Sequence, residues 1–200
     1  MTHALIWLRR DLRLADNPAL QAALENGLRP VPVYLHDTST GTGGAASHWW
    51  LHHSLDALQR ELRSRGSDLL ILAGDSRVRL PSLARACNAS HVFWNRRYEP
   101  AEAAQDAALQ AALGDSGFVV ESFAGNLLRE PWTLAKRDGT PYRVLTPFYS
   151  ELLARTPVDM PLTTPDALPP LPDTLPASLT PEDLDLLPGI PSDAAFPAHR

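Results

Sequence analysis

The sequence predicts a doubly wound α/β domain: a parallel sheet of five strands with helices on both faces. Two observations carry this expectation. Five short apolar runs recur along the chain, and the stretches between them place apolar residues three or four positions apart. Strand and helix in alternation give parallel pairing, joined by the right-handed crossovers such units almost always take. A third feature agrees: runs such as "LLILA" (69–73) are apolar throughout, as strands covered on both faces must be.

Each element can be justified in order. "HALIWL" (3–8) is the first strand, and behind it "RRDLRLAD" sets five charges between Arg9 and Asp16. Asp16 or Asn17 is a good N-cap, with Pro18 at the first helical position and Ala19, Ala22 and Ala23 on one side of the helix. "RPVPVYL" (29–35) is the second strand. The glycine-rich "HDTSTGTGGAAS" (36–47) follows it, and Ser47 is the expected cap of a helix with Leu51, Leu55, Leu58 and Leu62 on one face. "LLILA" is the third strand, and Leu80, Leu83, Ala84 and Cys87 mark the next helix. "HVFW" (91–94), a helix with Ala104, Ala107, Ala108 and Ala111, and "GFVVESF" (117–123) complete the pattern. Sheets of this kind hold ligands beyond the carboxyl ends of their strands, near the point where strand order reverses. The loops to inspect are therefore those after each strand.

The composition changes near residue 156. Eleven of the 19 prolines fall in the last 45 residues, too closely spaced for regular structure. Residues 1–155 are expected to form the α/β domain and residues 156–200 a linker or a wrapping segment. Within it "LTPEDLDLL" predicts one short helix, Thr180 capping and Pro181 opening it. A long irregular tail needs a surface to lie on, and a chain stopping at Arg200 looks like a piece of something longer.

Bulk properties exclude several classes. No apolar run approaches the roughly 18 residues of a membrane span, and no basic leader precedes "THALIWL". A single cysteine, Cys87, forms no internal disulfide, which suits a cytoplasmic protein. The net charge of −5 comes from the tail, where seven acids face one base, while residues 1–155 hold 16 acids and 17 bases. That body lacks the basic excess of a protein that grips phosphates, so any nucleic acid is held elsewhere.

The motifs divide in the same way. There is no Walker loop and no glycine triplet after the first strand; "GTGGAAS" (41–47) lacks the lysine, and a flexible loop or a ligand-contacting one both remain open. No glycine-flanked serine elbow is present, and Cys87 is placed as core. His52 and His53, adjacent on a helix, point apart and make a poor metal pair; with Trp49 and Trp50 they form either a stacking wall or a partly buried aromatic group. Glu99 and Glu102 stand three apart at a helix start, where the dipole alone would favour them. The charges after the first strand are either mutually paired in a solvated turn or placed around a crevice.

Four strings, "WLRRDLRLADNPAL", "SHWWLHHSL", "NRRYEP" and "NLLREPWTLAKRDGTPYRVLTPFYS" (126–150), together resemble the N-terminal half of the DNA photolyase and cryptochrome family over about 150 residues. The resemblance implies a flavodoxin/Rossmann-like antenna domain, joined in the full-length protein to a helical domain that holds FAD and receives damaged DNA. There, light-excited reduced flavin passes an electron to a pyrimidine dimer, the cyclobutane ring opens and the electron returns. It implies a lyase when complete, and an isolated domain that binds no FAD and repairs nothing. The partners implied are the chain's own C-terminal domain and, through it, DNA, with no membrane.

The antenna domain of the family holds a second chromophore that hands excitation to FAD. Glu102 matches the position that contacts the pterin in folate-binding members, but Ala101 stands where they often carry Asn. Arg97 stands where deazaflavin binders tend to place an acid. The chromophore is thus left open among methenyltetrahydrofolate, a deazaflavin and FMN, with an empty site as a further alternative. The candidate cofactor-binding residues are Arg9, His36, Asp37, Asn95, Tyr98, Glu99 and Glu102, and no catalytic or metal residue is expected. Two other readings remain: a cryptochrome fragment acting in signalling, and an unrelated α/β nucleotide-binding module. A strand order other than the flavodoxin-like one would favour the last.

Overall fold

In the computed structural model, which describes residues 2–37, 43–136, 138–155 and 160–187, the first strand shows how the core is divided. Along β1 (His3–Leu8), Ala4, Ile6 and Leu8 enter one apolar cluster, while Leu5 and Trp7 enter the other. Successive side chains of a strand point to opposite faces, so an unbroken apolar run is what a strand covered on both sides requires. The remaining strands are β2 (Arg29–His36), β3 (Leu70–Ala73), β4 (Ala89–Asn95) and β5 (Val119–Phe123), all parallel, in the order β3-β2-β1-β4-β5.

Of the two related patterns expected, that order is the Rossmann one, five strands of 3-2-1-4-5-6, and not the flavodoxin one, in which the strand beside the first on the second side is the third. Helices α1 (Pro18–Glu25) and α2 (Ala45–Ser64) cover one face through Leu20, Ala23, Leu55, Leu58 and Leu62. Helices α3 (Ser76–Ala86) and α4 (Pro100–Asp115) cover the other through Leu80, Leu83, Leu109 and Leu113. The chain changes face between β3 and β4, so the switch point lies between β1 and β4.

Local chemistry explains the helix starts. Asn17, rather than Asp16, caps α1, its side chain accepting from the Leu20 amide at 3.2 Å. Asp75 caps α3 by accepting from the Arg77 amide at 2.9 Å. The expected cap at Ser47 is not found: α2 begins at Ala45 with Gly44 at the cap, which leaves Ser47 inside the first turn. Cys87 ends α3 as a buried residue, and burial pushes its thiol up to about 11, so it behaves as core. The loop at 38–42, including the start of "GTGGAAS", lies outside the described residues.

The proline-rich tail wraps the domain. Leu162 and Asp16 exchange two hydrogen bonds, the Leu168 amide donates to the Arg65 carbonyl at 2.8 Å, and the Leu179 amide donates to Ile71 at 2.8 Å. Ser178 Oγ accepts from the Ile71 amide at 2.9 Å, so the tail satisfies both backbone groups of Ile71 on the open edge of β3. Leu168, Leu184 and Leu186 are buried in the α1/α2 core, and Leu171 and Leu175 pack on the opposite one. The short helix expected in "LTPEDLDLL" is only a 3-10 turn, Glu182–Leu184, ended by Asp185 in the left-handed region. Its cause is packing: Leu184 and Leu186 both face the core, a two-residue spacing that a continuing helix cannot supply. Thr180 still acts as a cap, exchanging hydrogen bonds with Asp183.

One element was not expected. α5 (Leu145–Arg155) lies inside the string "NLLREPWTLAKRDGTPYRVLTPFYS". No helix among the described residues is long and apolar enough to cross a membrane.

Candidate functional site

The charges that follow β1 do not pair with one another across a solvated turn. Arg13 does donate locally, to the Ala15 and Asp16 carbonyls, but the other guanidinium partners come from β4, α4 and its start, and the loop after β5, far along the chain. Arg9 sends Nη1 to both carboxylate oxygens of Asp106 at 2.6 and 2.8 Å, and Nη2 to the Asn95 carbonyl. Arg97 reaches the same carboxylate from the loop after β4, so one acid sits between two guanidiniums. The three side chains are 7%, 9% and 10% exposed. Arg10 pairs with Glu99 and, at 2.8 Å, with Glu102, while Arg13 donates to the Gly125 carbonyl.

Asn95 is the pin of this assembly. It ends β4 and is 1% exposed. Its amide nitrogen donates to Asp11 at 2.6 Å and to Asn17 at 3.0 Å, and its oxygen accepts from the Ala19 amide at 3.2 Å. Gly125 backs onto it so closely that a Cβ there would lie 2.6 Å from Asn95 Cγ, so any side chain at that point forces one of the two to shift. The first βα loop, α1 and β4 are thus locked together at the switch point.

Above this lock lies a cleft of about 590 Å³ at the carboxyl edge of the sheet. Trp7, Arg9, Arg97 and Glu102 form part of its lining; Tyr34, His36 and Asp37 come from the end of β2, and His48 and Leu51 from α2. Arg9 stacks 4.3 Å from the Trp7 ring centroid and Arg97 5.7 Å from it, while Trp94 meets Trp7 edge-on at 5.7 Å. Burial drives the Tyr34 hydroxyl up to about 12 and, with His48 nearby, holds His36 below its usual value. His36 is therefore neutral at pH 7.

Five polar atoms of this lining are buried without a hydrogen-bond partner among the described residues: the donors Trp7 Nε1, Arg9 Nε and Arg97 Nε, the acceptor Glu102 Oε2, and the Ser76 hydroxyl, which can act either way. Folded proteins rarely leave such groups unmet, because each one costs about 1–3 kcal/mol. Three donors, one acceptor and a hydroxyl beside an indole face suit a flat heteroaromatic ring that carries both carbonyl and N–H groups on its rim.

Of the sequence-derived candidates, Arg9, His36, Asp37 and Glu102 line this cleft. Asn95 lies beneath it as a fully partnered residue. Glu99 caps α4 and pairs with Arg10 on the surface, and Tyr98 lines a different, smaller cleft with Trp132. Trp7 and Arg97 were missed as cleft residues. Trp7 sits in the apolar strand run, where an indole reads as core; its place as the last residue but one of β1 was the available signal.

Comparison with known proteins decides the family. The model for DNA photolyase matches residues 4–171. The chain belongs to the DNA photolyase family. A deoxyribodipyrimidine photo-lyase of Agrobacterium fabrum is 47% identical over 148 residues, 74% of this chain and 31% of that protein. Cryptochrome-1 of Arabidopsis thaliana is 35% identical over 156 residues, 76% of this chain and 23% of the relative. Among solved structures, a bacterial class III photolyase from Agrobacterium tumefaciens superposes with a TM-score of 0.91 at 42% identity, covering 98% of this chain and 40% of that one. The chain therefore spans only about a quarter to two fifths of the length of these relatives. The family match also removes the reading as an unrelated nucleotide-binding module, although the strand order is not the flavodoxin one.

Proposed function

We propose that residues 1–155 are the light-harvesting domain of a deoxyribodipyrimidine photolyase, and that the complete protein splits cyclobutane pyrimidine dimers with FAD held outside this span. The observation that carries the reading is the cleft lining: a Trp7 wall, two stacked guanidiniums and an acid, with unmet donors and acceptor at the ligand edge of a doubly wound sheet. A bound chromophore would absorb light and pass its excitation onward through space, which needs no nucleophile or acid–base pair in this domain.

The chain's own task is placement. Glu102 Oε2 would accept from a ring N–H, and Trp7 Nε1, Arg9 Nε and Arg97 Nε would donate to ring carbonyl or imine atoms. Arg9 and Arg97 cannot swing away, because Asp106 holds both. Such fixed partners orient a ring, and orientation together with distance governs transfer of excitation. A pterin, a deazaflavin and an isoalloxazine all carry the required rim, so the cleft fits each. Asp37 anchors the wall by accepting from the Ser76 amide at 2.9 Å. In this reading the tail at 156–200 connects the domain to the FAD-holding part.

The photolyase reading is favoured over a signalling cryptochrome by the higher identity to the photolyase relative, 47% against 35%. An absorption spectrum of the purified protein, incubated in turn with methenyltetrahydrofolate, a deazaflavin and FMN, tests the cleft. Retention of one of them is the expected result, and retention of none removes the antenna role. Blue-light repair of thymine dimers by the complete protein tests the enzyme; failure to repair would favour signalling.

A further inference from the structure

The stretch after β5 is built unlike the rest of the surface. α5 is amphipathic, with Leu145, Phe148, Tyr149, Leu152 and Leu153 at three-to-four spacing, yet none of residues 145–154 is fully buried. Leu145 is 75% exposed and Leu153 60%. A helix of 11 residues does not persist in water on propensity alone; it needs its apolar face covered. Of the twelve large apolar side chains exposed among the described residues, eight fall between Leu127 and Met160. Scattered exposed apolar residues are ordinary, but their concentration in one stretch marks a contact surface.

The chemistry of this stretch is that of an interface anchor. Trp132, 65% exposed, lies 6.4 Å from the Tyr98 ring and 5.9 Å from the Arg96 guanidinium. These three line a cleft of about 330 Å³ whose floor is Trp94. Tryptophan, tyrosine and arginine clustered around a pocket are the residues that dominate protein interfaces. Beside them, Glu130 accepts from Tyr98 and Arg96 through Oε1, while its Oε2 is buried with no partner among the described residues.

We propose that Leu127, Leu128, Trp132, Leu145, Tyr149 and Leu153 form the seat of the polypeptide that lies beyond this span in longer relatives, with the Trp132 cleft as its anchor. The occupant is an apolar face offering one hydrogen-bond donor to Glu130. Its source is argued from length: this chain covers 31% of the Agrobacterium photolyase by sequence and 40% of the solved class III chain, so most of each relative has no counterpart here. The inference rests on the chain being the first part of a photolyase-length protein, and it adds where the remainder sits.

The test is amide hydrogen exchange across residues 145–155, in the 200-residue chain and in that chain continued by the part of the Agrobacterium photolyase beyond its match. Exchange in α5 should be fast in the first and slower by roughly tenfold or more in the second. Y149E with L153E should restore fast exchange in the continued protein and leave the melting temperature of the 200-residue chain unchanged. Equal exchange in both proteins, or no response to the double variant, overturns the proposal. Protection that grows with concentration in the 200-residue chain also overturns it, by showing a second copy as the occupant. Should the continued protein fail to fold, the intact class III photolyase supplies the comparison at the helix matching α5. Chromophore absorbance in the same samples keeps the two readings apart, because the antenna cleft can fail while the seat holds, and the reverse.

Discussion

Two groups of buried polar residues lie within a few residues of each other in sequence, behind β1 and behind β4, and they are finished differently. Around Asn95 the side-chain amide has a partner for each group it offers: Asp11, Asn17 and the Ala19 amide close a complete network. Around Trp7, Arg9, Arg97 and Glu102 the strong pairs are made, but four polar atoms are left unmet. The first arrangement stabilises the fold, because a satisfied buried network rigidifies its surroundings. The second leaves polar atoms that, on the antenna reading proposed above, a bound chromophore would satisfy. Polarity at a strand end therefore does not by itself single out a binding site; what sets the second group apart is that its unmet atoms gather in one cleft.

That contrast can be broken at several points. The largest expected effect is at the hub of the open group. D106N leaves two buried guanidiniums facing a neutral amide, and the loss should be about 3 kcal/mol, read by denaturant unfolding. A loss below about 1 kcal/mol would mean that water reaches the pair. N95L strands Asp11 and the Ala19 amide together and should cost about 2–3 kcal/mol. G125A forces its Cβ against Asn95 and should cost about 1–3 kcal/mol by the same measurement, through overpacking in place of lost bonds. E102Q should leave stability within about 0.5 kcal/mol but weaken chromophore retention about tenfold, the worth of one hydrogen bond to a charged group. If E102Q instead unfolded the domain and kept its ligand affinity, the roles assigned to the two groups would be reversed.

The smallest effect is in pH. Burial holds His36 and His3 below 6.5 in the folded protein, so the unfolded chain binds more protons than the folded one as pH drops through that value. Stability should be fully present above pH 6.5, decline as pH falls toward the lowered folded values, and level off below them. H36Q should flatten the slope in a melting-temperature series from pH 7.5 to about 5.

Much of the frame was legible because it depends on local periodicity. The five strands, the four crossover helices and the Asn17 cap follow from spacing and from residue types that act within one turn. The polar groups were not legible in the same way. Arg9 and Asp106 are 97 residues apart, and Asn95 and Asp11 are 84, so nothing local says which charges meet. Taken locally, Arg9, Arg10 and Asp11 were equally a self-paired turn. Asn95 and Glu99 entered the candidate list because they lie at a strand end, and the same position served a pin in one case and a surface pair in the other. α5 carries its signal openly in the spacing of Leu145, Phe148, Tyr149 and Leu152, but it follows a stretch with Pro131, Gly139 and Pro141 that breaks any longer period.

The tail laced along the rim of β3 gives the molecule a fixed ruler. Because backbone bonds tie Leu168 to Arg65 at the end of α2 and Leu179 to Ile71 in β3, the tail is held at a defined place along the sheet edge as far as it is described, to Leu187. Radiationless coupling between two pigments fades steeply as they separate, so on the antenna reading a tail whose place wandered by a few ångströms would make the yield fluctuate from one molecule to the next. On the antenna reading proposed above, the lacing would turn a proline-rich segment, ordinarily a loose tether, into the part that sets that spacing.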